Sequence, residues 1–83
     1  MAEADRLRWR CRRGLLELDL ILKSFLDRHF DRLDAGEREV LGELLDYPDN
    51  DLLDWALGRS DPPAARFGAL VRLLRASWIE RVT

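Results

Sequence analysis

Arg13, Gly14 and Glu17 are the residues of this chain whose types and spacing most clearly suggest chemistry, and that chemistry is binding. A helical wheel over the residues that follow Gly14 places Glu17 opposite an apolar stripe, with Leu16 and Leu20 beside it. An acidic side chain among exposed apolar neighbours is typical of a partner-binding patch. Arginine adds a planar guanidinium that is always positively charged, and glycine allows a turn between helices or the close approach of another backbone. We therefore predict a protein-binding patch here.

Catalytic and metal-binding residues are scarce. His29 is the only histidine and lies on the apolar stripe, and Cys11 is the only cysteine and lies on the inner face of a predicted helix. Packing roles therefore fit both better than catalysis, and they cannot form the usual structural zinc site. Residues 49–51 begin like a calcium loop, but Leu53 and Asp54 stand where a ligand and the required glycine belong. All five glycines are isolated, so the sequence contains no glycine-rich phosphate-binding loop. We predict that the chain is not an enzyme and binds no cofactor or metal itself.

The same residues resemble the signature of a known family. Arg13-Gly14-x-x-Glu17, with Trp9 before it and Asp19 after it, resembles the RGxxE signature of the small succinate dehydrogenase flavinylation factors. These are the bacterial SdhE proteins and their mitochondrial relatives. Three fixed positions would recur by chance in many proteins, so the signature needs support from the rest of the chain.

Two later segments supply that support. Residues 46–55 resemble the acidic D-x-x-L-x-x-W region of the family, and residues 71–74 resemble its last helix. The resemblance covers approximately residues 6–75, in the family's order and spacing.

The resemblance implies an assembly factor that docks on the flavoprotein subunit of succinate dehydrogenase, and possibly of fumarate reductase, and assists covalent FAD attachment. It also implies that a histidine of the client attacks the 8α-methyl position of the flavin, while the factor supplies conformation and holds no FAD. Trp55 matches a lesser family position, and a core role is an equal alternative for it. The predicted partner-binding residues are the motif residues, residues at less specific positions of the family pattern, and neighbours of the motif. The motif residues are Arg13, Gly14 and Glu17, the less specific positions are Asp19 and Asp51, and the neighbours are Trp9, Arg12, Leu16 and Leu20.

Charge is strongly segregated along the chain and leaves an alternative open. Residues 1–13 carry five arginines against Glu3 and Asp5, a balance of +3, while residues 34–61 carry a balance of −7. The arginines around Trp9 would suit an RNA-binding arm. The acidic segment would repel a polyanion unless it faced away, so nucleic-acid binding is less favoured. An antitoxin-like or RNA-binding regulator remains the alternative function, because some proteins of the family have been labelled antitoxins.

Composition sets further bounds. A length of 83 residues predicts one helical domain spanning residues 1–83, and a single cysteine excludes an internal disulfide. No apolar run approaches the roughly 18 residues that cross a membrane, and the first residues do not resemble a secretory leader. We expect a cytoplasmic bacterial protein, a monomer without membrane insertion or nucleic-acid partner.

Apolar spacing predicts three helices in the first half of the chain. The first covers about 4–13, and Gly14 ends or bends it. The second covers about 15–30 and carries the apolar stripe. Asp34 and Glu37 are spaced as a capping box that begins the third helix. Its predicted buried face is formed by Val40, Leu41, Leu44 and Leu45.

A short fourth helix is predicted after Pro48, with Asp49 or Asp51 as its N-cap and Gly58 after its end. Its apolar residues are Leu52, Leu53, Trp55, Ala56 and Leu57.

A fifth helix is predicted to open at Asp61 and Pro62, as an N-cap followed by proline at the first helical position. Its apolar residues are Phe67, Leu70, Val71, Leu74 and Trp78. No alternation of period two suggests a strand. The predicted fold is all-α, a compact bundle of five short helices.

Overall fold

Five α-helices and two short 3-10 turns make up the fold in a computed structural model, which describes the backbone of residues 3–82 and the side chains of residues 5–79. The described range contains no strand, so the predicted all-α bundle of five helices is confirmed. No helix within it is long and apolar enough to cross a membrane. The helices are α1 (Glu3–Arg10), α2 (Leu16–His29), α3 (Ala35–Leu44), α4 (Asp49–Ala56) and α5 (Gly68–Val82).

Helix α2 lies at the centre of the fold and packs against α5 and α4. Its predicted apolar stripe is buried, since Leu18, Ile21, Leu22 and Phe25 have no exposed surface. Burial of such a stripe is the main source of stability for a short helix. The other helices and the connections complete the core with Leu7, Cys11, Phe30, Leu33, Leu41, Leu44, Leu45, Leu52, Trp55, Ala56, Phe67, Leu70, Val71 and Leu74.

Helix α1 ends three residues earlier than predicted. The amide of Arg12 bonds to the carbonyl of Trp9 at 3.1 Å, a tightened turn, and the amide of Arg13 turns away to the Asp19 carboxylate. Gly14 follows with φ of +82°, a left-handed conformation that ends a helix and that glycine adopts without strain. Helix α2 therefore starts afresh after the turn.

The third helix begins as predicted and the fourth does not. Asp34 and Glu37 form the complete capping box of α3. At α4, Pro48 occupies the N-cap position in an extended conformation, and no described side chain caps this helix. Asp49 and Asp51 lie inside its first turn instead, where the helix dipole favours negative charge. The prediction that either aspartate is the N-cap is wrong, and Asp49 pairs with Arg13.

The fifth helix begins at Gly68, after a 3-10 turn at Ala65–Phe67, so its predicted start at Asp61 and Pro62 is wrong. The cause is Pro63, because a proline disfavours the helical conformation in the residue before it. Asp61 caps no helix and pairs with Arg75 of α5 at 3.3 Å.

Candidate protein-binding site

The predicted motif is built around the turn that joins α1 to α2. Leu15, in the N-cap position, is extended, and no described side chain caps α2 there. Asp19 compensates from the first turn of the helix: its carboxylate accepts hydrogen bonds from the backbone N–H of Arg13 at 2.8 Å and of Gly14 at 3.2 Å. The carboxylate therefore fixes the backbone that enters α2 and also suits the positive end of the helix dipole.

The Arg13 side chain points into the protein. Its guanidinium donates to the carbonyl oxygens of Leu45 and Tyr47, each at 2.9 Å, and to the carboxylate of Asp49. Only 16% of the side chain is exposed. We call Arg13 with these three partners the Arg13 clasp. It joins the α1–α2 turn to the connection between α3 and α4.

Two further arginines of residues 1–13 form ion pairs within the chain. Arg10 pairs with Asp46 at 2.6 Å, and Arg8 pairs with Asp27 at 2.8 Å. Hydrogen bonds from Lys23 and Arg8 hold the pKa of Asp27 below its usual range. Opposite charges along the sequence are thus partners within the fold. The arginines on which the RNA-binding alternative depends are largely engaged, and that alternative gains no support.

Four predicted contact residues form an exposed patch beside the turn, and we call Trp9, Arg12, Leu16 and Glu17 the exposed patch. Trp9 and Leu16 are 70% and 72% exposed, and they are two of the three large hydrophobic side chains that are exposed among the described residues. The Arg12 guanidinium lies 5.7 Å from the centre of the Trp9 ring. Glu17 is exposed in the first turn of α2. The patch combines both kinds of charge with large apolar area.

A groove of about 560 Å³ adjoins the exposed patch. Four predicted residues line it together, namely Arg12, Gly14, Asp19 and Leu20. Leu16 precedes Leu20 by one helical turn, so the two lie on the same side of α2. The remaining lining residues are Arg8, Cys11, Lys23 and Leu26.

Two residues of the acidic segment lie apart from this groove. Asp51 is exposed in the first turn of α4, two positions after Asp49, which belongs to the Arg13 clasp. Trp55 is 6% exposed, and its ring meets that of Tyr47 edge to face with centres 5.1 Å apart. Of the two roles considered for Trp55, the structure shows the core role.

Cys11 and His29 occupy packing positions. Burial raises the pKa of the Cys11 thiol to about 11, against the opposing effect of Arg13 and its neighbours, so the thiol is protonated at neutral pH. His29 is half-buried with its ring centre 5.7 Å from that of Phe25, and its Nε2 has no partner among the described atoms. Over the described residues, no group of three potential ligands is placed to hold a metal.

Asp49, Asp46 and Asp27 are the residues around the site that sequence reasoning missed. They hold Arg13, Arg10 and Arg8 respectively. For Asp46 and Asp49, which lie in the acidic segment, the charge segregation was the available signal, while Asp27 lies outside that segment. The segregation indicates two complementary surfaces but not which pairs form, because the pairing depends on how the helices pack.

Comparison with known proteins decides the family. Residues 5–78 match the model of the family described as "Flavinator of succinate dehydrogenase". The chain belongs to this family. The resemblance seen in the RGxxE motif is therefore confirmed, and the Arg13 clasp and the exposed patch are features of a flavinator-family chain.

Several bacterial members of the family are similar over most of their length. The chain is 41% identical over 72 residues to the FAD assembly factor SdhE of Coxiella burnetii, covering 87% of this chain and 88% of the relative. It is 35% identical over 79 residues to that of Haemophilus ducreyi, covering 93% and 96%. It is 47% identical over 60 residues to that of Ralstonia nicotianae, covering 72% and 63%.

Proposed function

We propose that this chain is an assembly factor that binds the flavoprotein subunit of succinate dehydrogenase and promotes its covalent FAD attachment. Membership of the flavinator family over residues 5–78 is the observation that carries this function. The relatives from three bacteria bear the same name of FAD assembly factor.

The exposed patch and the adjoining groove are the proposed docking surface. Tryptophan and arginine are the residue types that most often dominate binding energy at protein interfaces, and here Trp9 and Arg12 stand together. Leu16 supplies exposed apolar area, and Leu20 and Gly14 line the groove beside it. Glu17 supplies a charge that selects a complementary partner group. Asp51 remains a proposed contact at the margin.

The proposed mechanism is a shift of the client between conformations. A rigid helical wedge that binds one arrangement of the client more tightly than another raises the population of the favoured arrangement. That arrangement brings the client's own histidine and flavin into contact, which lowers the entropic part of the barrier. The chain itself therefore needs neither a catalytic residue nor a bound flavin.

The proposal includes several narrower points. We expect the chain to act as a monomer in the bacterial cytoplasm, to accept fumarate reductase as a second client, and to bind no nucleic acid or membrane. The isolated chain should hold no flavin or metal. Visible absorbance and elemental analysis of the purified protein check this, and a stoichiometric flavin or metal ion would contradict it.

Co-expression with the cognate flavoprotein subunit tests the function, in a host that lacks its own factor. Covalent flavin is followed by fluorescence of the client in a denaturing gel, and complex formation by co-purification. We expect the wild-type chain to raise both. If the wild-type chain forms no complex and leaves covalent flavin unchanged, the proposed function is wrong.

Glu17→Ala tests the docking surface, with Glu39→Ala on α3 as a matched exposed control. Both variants should melt like the wild type, because both side chains are exposed. Glu17→Ala should weaken client binding about tenfold, the effect of a contact worth roughly 1.4 kcal/mol, whereas Glu39→Ala should not. Full binding and flavin attachment by Glu17→Ala would remove Glu17 from the site.

A further inference from the structure

We propose that Arg13 is a positioning residue, which holds the exposed patch in its binding geometry through the Arg13 clasp and does not itself touch the client. The inference rests on the proposed function, because it divides the work within the RGxxE motif. Glu17 is the contact residue, and Arg13 acts through it.

The hydrogen bonds of Arg13 leave little for a partner. A guanidinium has five N–H groups, and the bonds to Leu45, Tyr47, Asp49 and the carbonyl of Arg10, at 3.3 Å, account for four of them. These acceptors surround a side chain that is 16% exposed. A client that took Arg13 as a contact would have only one N–H group left to bind, on a side chain that is largely covered.

The turn that Arg13 holds has few other supports. Apart from its two chain neighbours, no described residue places an atom within 4 Å of the point where a Cβ on Gly14 would stand, so packing against other side chains does not fix this residue. Its backbone is held from one side by the Asp19 carboxylate and from the other by the Arg13 clasp. Without the clasp, the backbone of the left-handed turn keeps only the Asp19 hydrogen bonds, while Cys11 and Leu15 on either side stay packed on the core.

The direction of the backbone at Gly14 determines the position of the first turn of α2. Leu16 and Glu17 occupy the first turn of the helix immediately after Gly14 and Leu15. First turns fray more readily than the helix centre because their N–H groups lack partners within the helix. Loss of the clasp therefore loosens Glu17 and Leu16, even though Arg13 makes no described contact with either.

A double-mutant cycle in client binding distinguishes positioning from contact. The affinity of the purified chain for the cognate flavoprotein subunit is measured for the wild type, Arg13→Lys, Glu17→Ala and the double variant. Circular dichroism establishes a temperature at which all four are folded. Lysine keeps the charge of Arg13 but lacks the planar fork that reaches several acceptors, so it should not restore the clasp. Arg13→Ala extends the series if it folds.

We expect Arg13→Lys to weaken binding about 5- to 10-fold in the wild-type background, no more than Glu17→Ala itself, and less than about twofold beside Glu17→Ala. Such coupling between residues that do not touch is the mark of positioning. Equal losses in both backgrounds would overturn the inference, because contact with the client and simple loss of folding both act independently of Glu17. Wild-type affinity of Arg13→Lys would overturn it as well, since charge alone would then suffice. Absence of binding by the wild type would instead refute the proposed function, and the inference with it.

Discussion

Arg13 and Asp49 form an ion pair across 36 positions of the sequence, between the turn before α2 and the first turn of α4. This pair gives the motif arginine a role in the fold, in addition to any role at the surface. Asp49 is the first residue of α4, after Pro48 in the N-cap position, and its carboxylate is directed to the guanidinium. The motif thus joins one inward-facing residue, Arg13, to one outward-facing residue, Glu17.

The adjacent arginines Arg13 and Arg12 should differ sharply in their effect on stability. Arg13→Ala leaves two carbonyls and a carboxylate without their donor, and should lower the free energy of unfolding by about 2 to 3 kcal/mol. Arg12→Ala, at an exposed position, should change it by no more than about 0.5 kcal/mol. Urea denaturation of both variants measures the difference. Equal effects would mean that the clasp contributes nothing to folding.

This expectation replaces the one that the sequence suggests. From the motif alone, Arg13 and Glu17 look equivalent, two charged residues whose removal should leave the fold intact. The sequence cannot reveal that Arg13 faces Leu45 and Tyr47, because those partners are backbone carbonyls whose position depends on helix packing. The exposure of Glu17 is predicted correctly because it follows from helical periodicity alone.

The same distinction applies to the helices. The apolar stripe of α2 and the capping box of α3 are local patterns, and both predictions hold. The predicted starts of α4 and α5 are wrong: Pro63 delays α5, and Asp49 and Asp61, which look like caps, are ion-pair partners of Arg13 and Arg75. A cap and a salt bridge require the same residue type, and only tertiary structure decides between them.

Truncation of core residues should be costly. Leu22, Phe25 and Leu74 are no more than 1% exposed, and replacing any of them by alanine should lower the free energy of unfolding by about 2 to 5 kcal/mol. Leu16→Ala, at a position that is 72% exposed, is the matched control and should change it by less than about 0.5 kcal/mol. Thermal unfolding checks all four variants. Wild-type stability in the three core variants would contradict the assigned packing.

Gly14 and Gly58 offer a matched comparison of backbone strain with binding. Both have positive φ, at +82° and +78°, and apart from their chain neighbours no described residue places an atom closer than 3.9 Å to the point where a Cβ would stand. Alanine at either position should therefore cost about 1 to 2 kcal/mol, from conformation and not from a clash.

Arginine at the same two positions separates the roles. Gly14→Arg adds a long side chain at the groove and should abolish client binding, while Gly58→Arg, at a residue that does not line the groove, should leave the affinity unchanged. The measurement is client affinity for variants shown to be folded by circular dichroism. Equal affinity in the two arginine variants would exclude the groove from the docking surface.

The Cys11 thiol should make the free energy of unfolding decrease as pH rises above 9. Burial raises the pKa of its thiol from 9.0 to about 11, so between these values the unfolded chain loses the thiol proton while the folded chain keeps it. The folded state then binds more protons, and the free energy of unfolding must fall as pH rises. The contribution is present below pH 9 and lost as pH rises, with about 2 kcal/mol lost by pH 11, at roughly 1.4 kcal/mol per pKa unit.

Cys11→Ala isolates this effect from other groups that titrate in the same range. The wild type should lose stability more steeply than Cys11→Ala between pH 9 and pH 11, by about 2 kcal/mol, and the two curves should run parallel below pH 9. Urea denaturation across the pH range gives both curves. The reaction of native protein with a thiol reagent at neutral pH should also be slow, because the thiol is both buried and protonated. Parallel stability curves over the whole range would show that the thiol ionises as readily in the folded protein as in the unfolded chain.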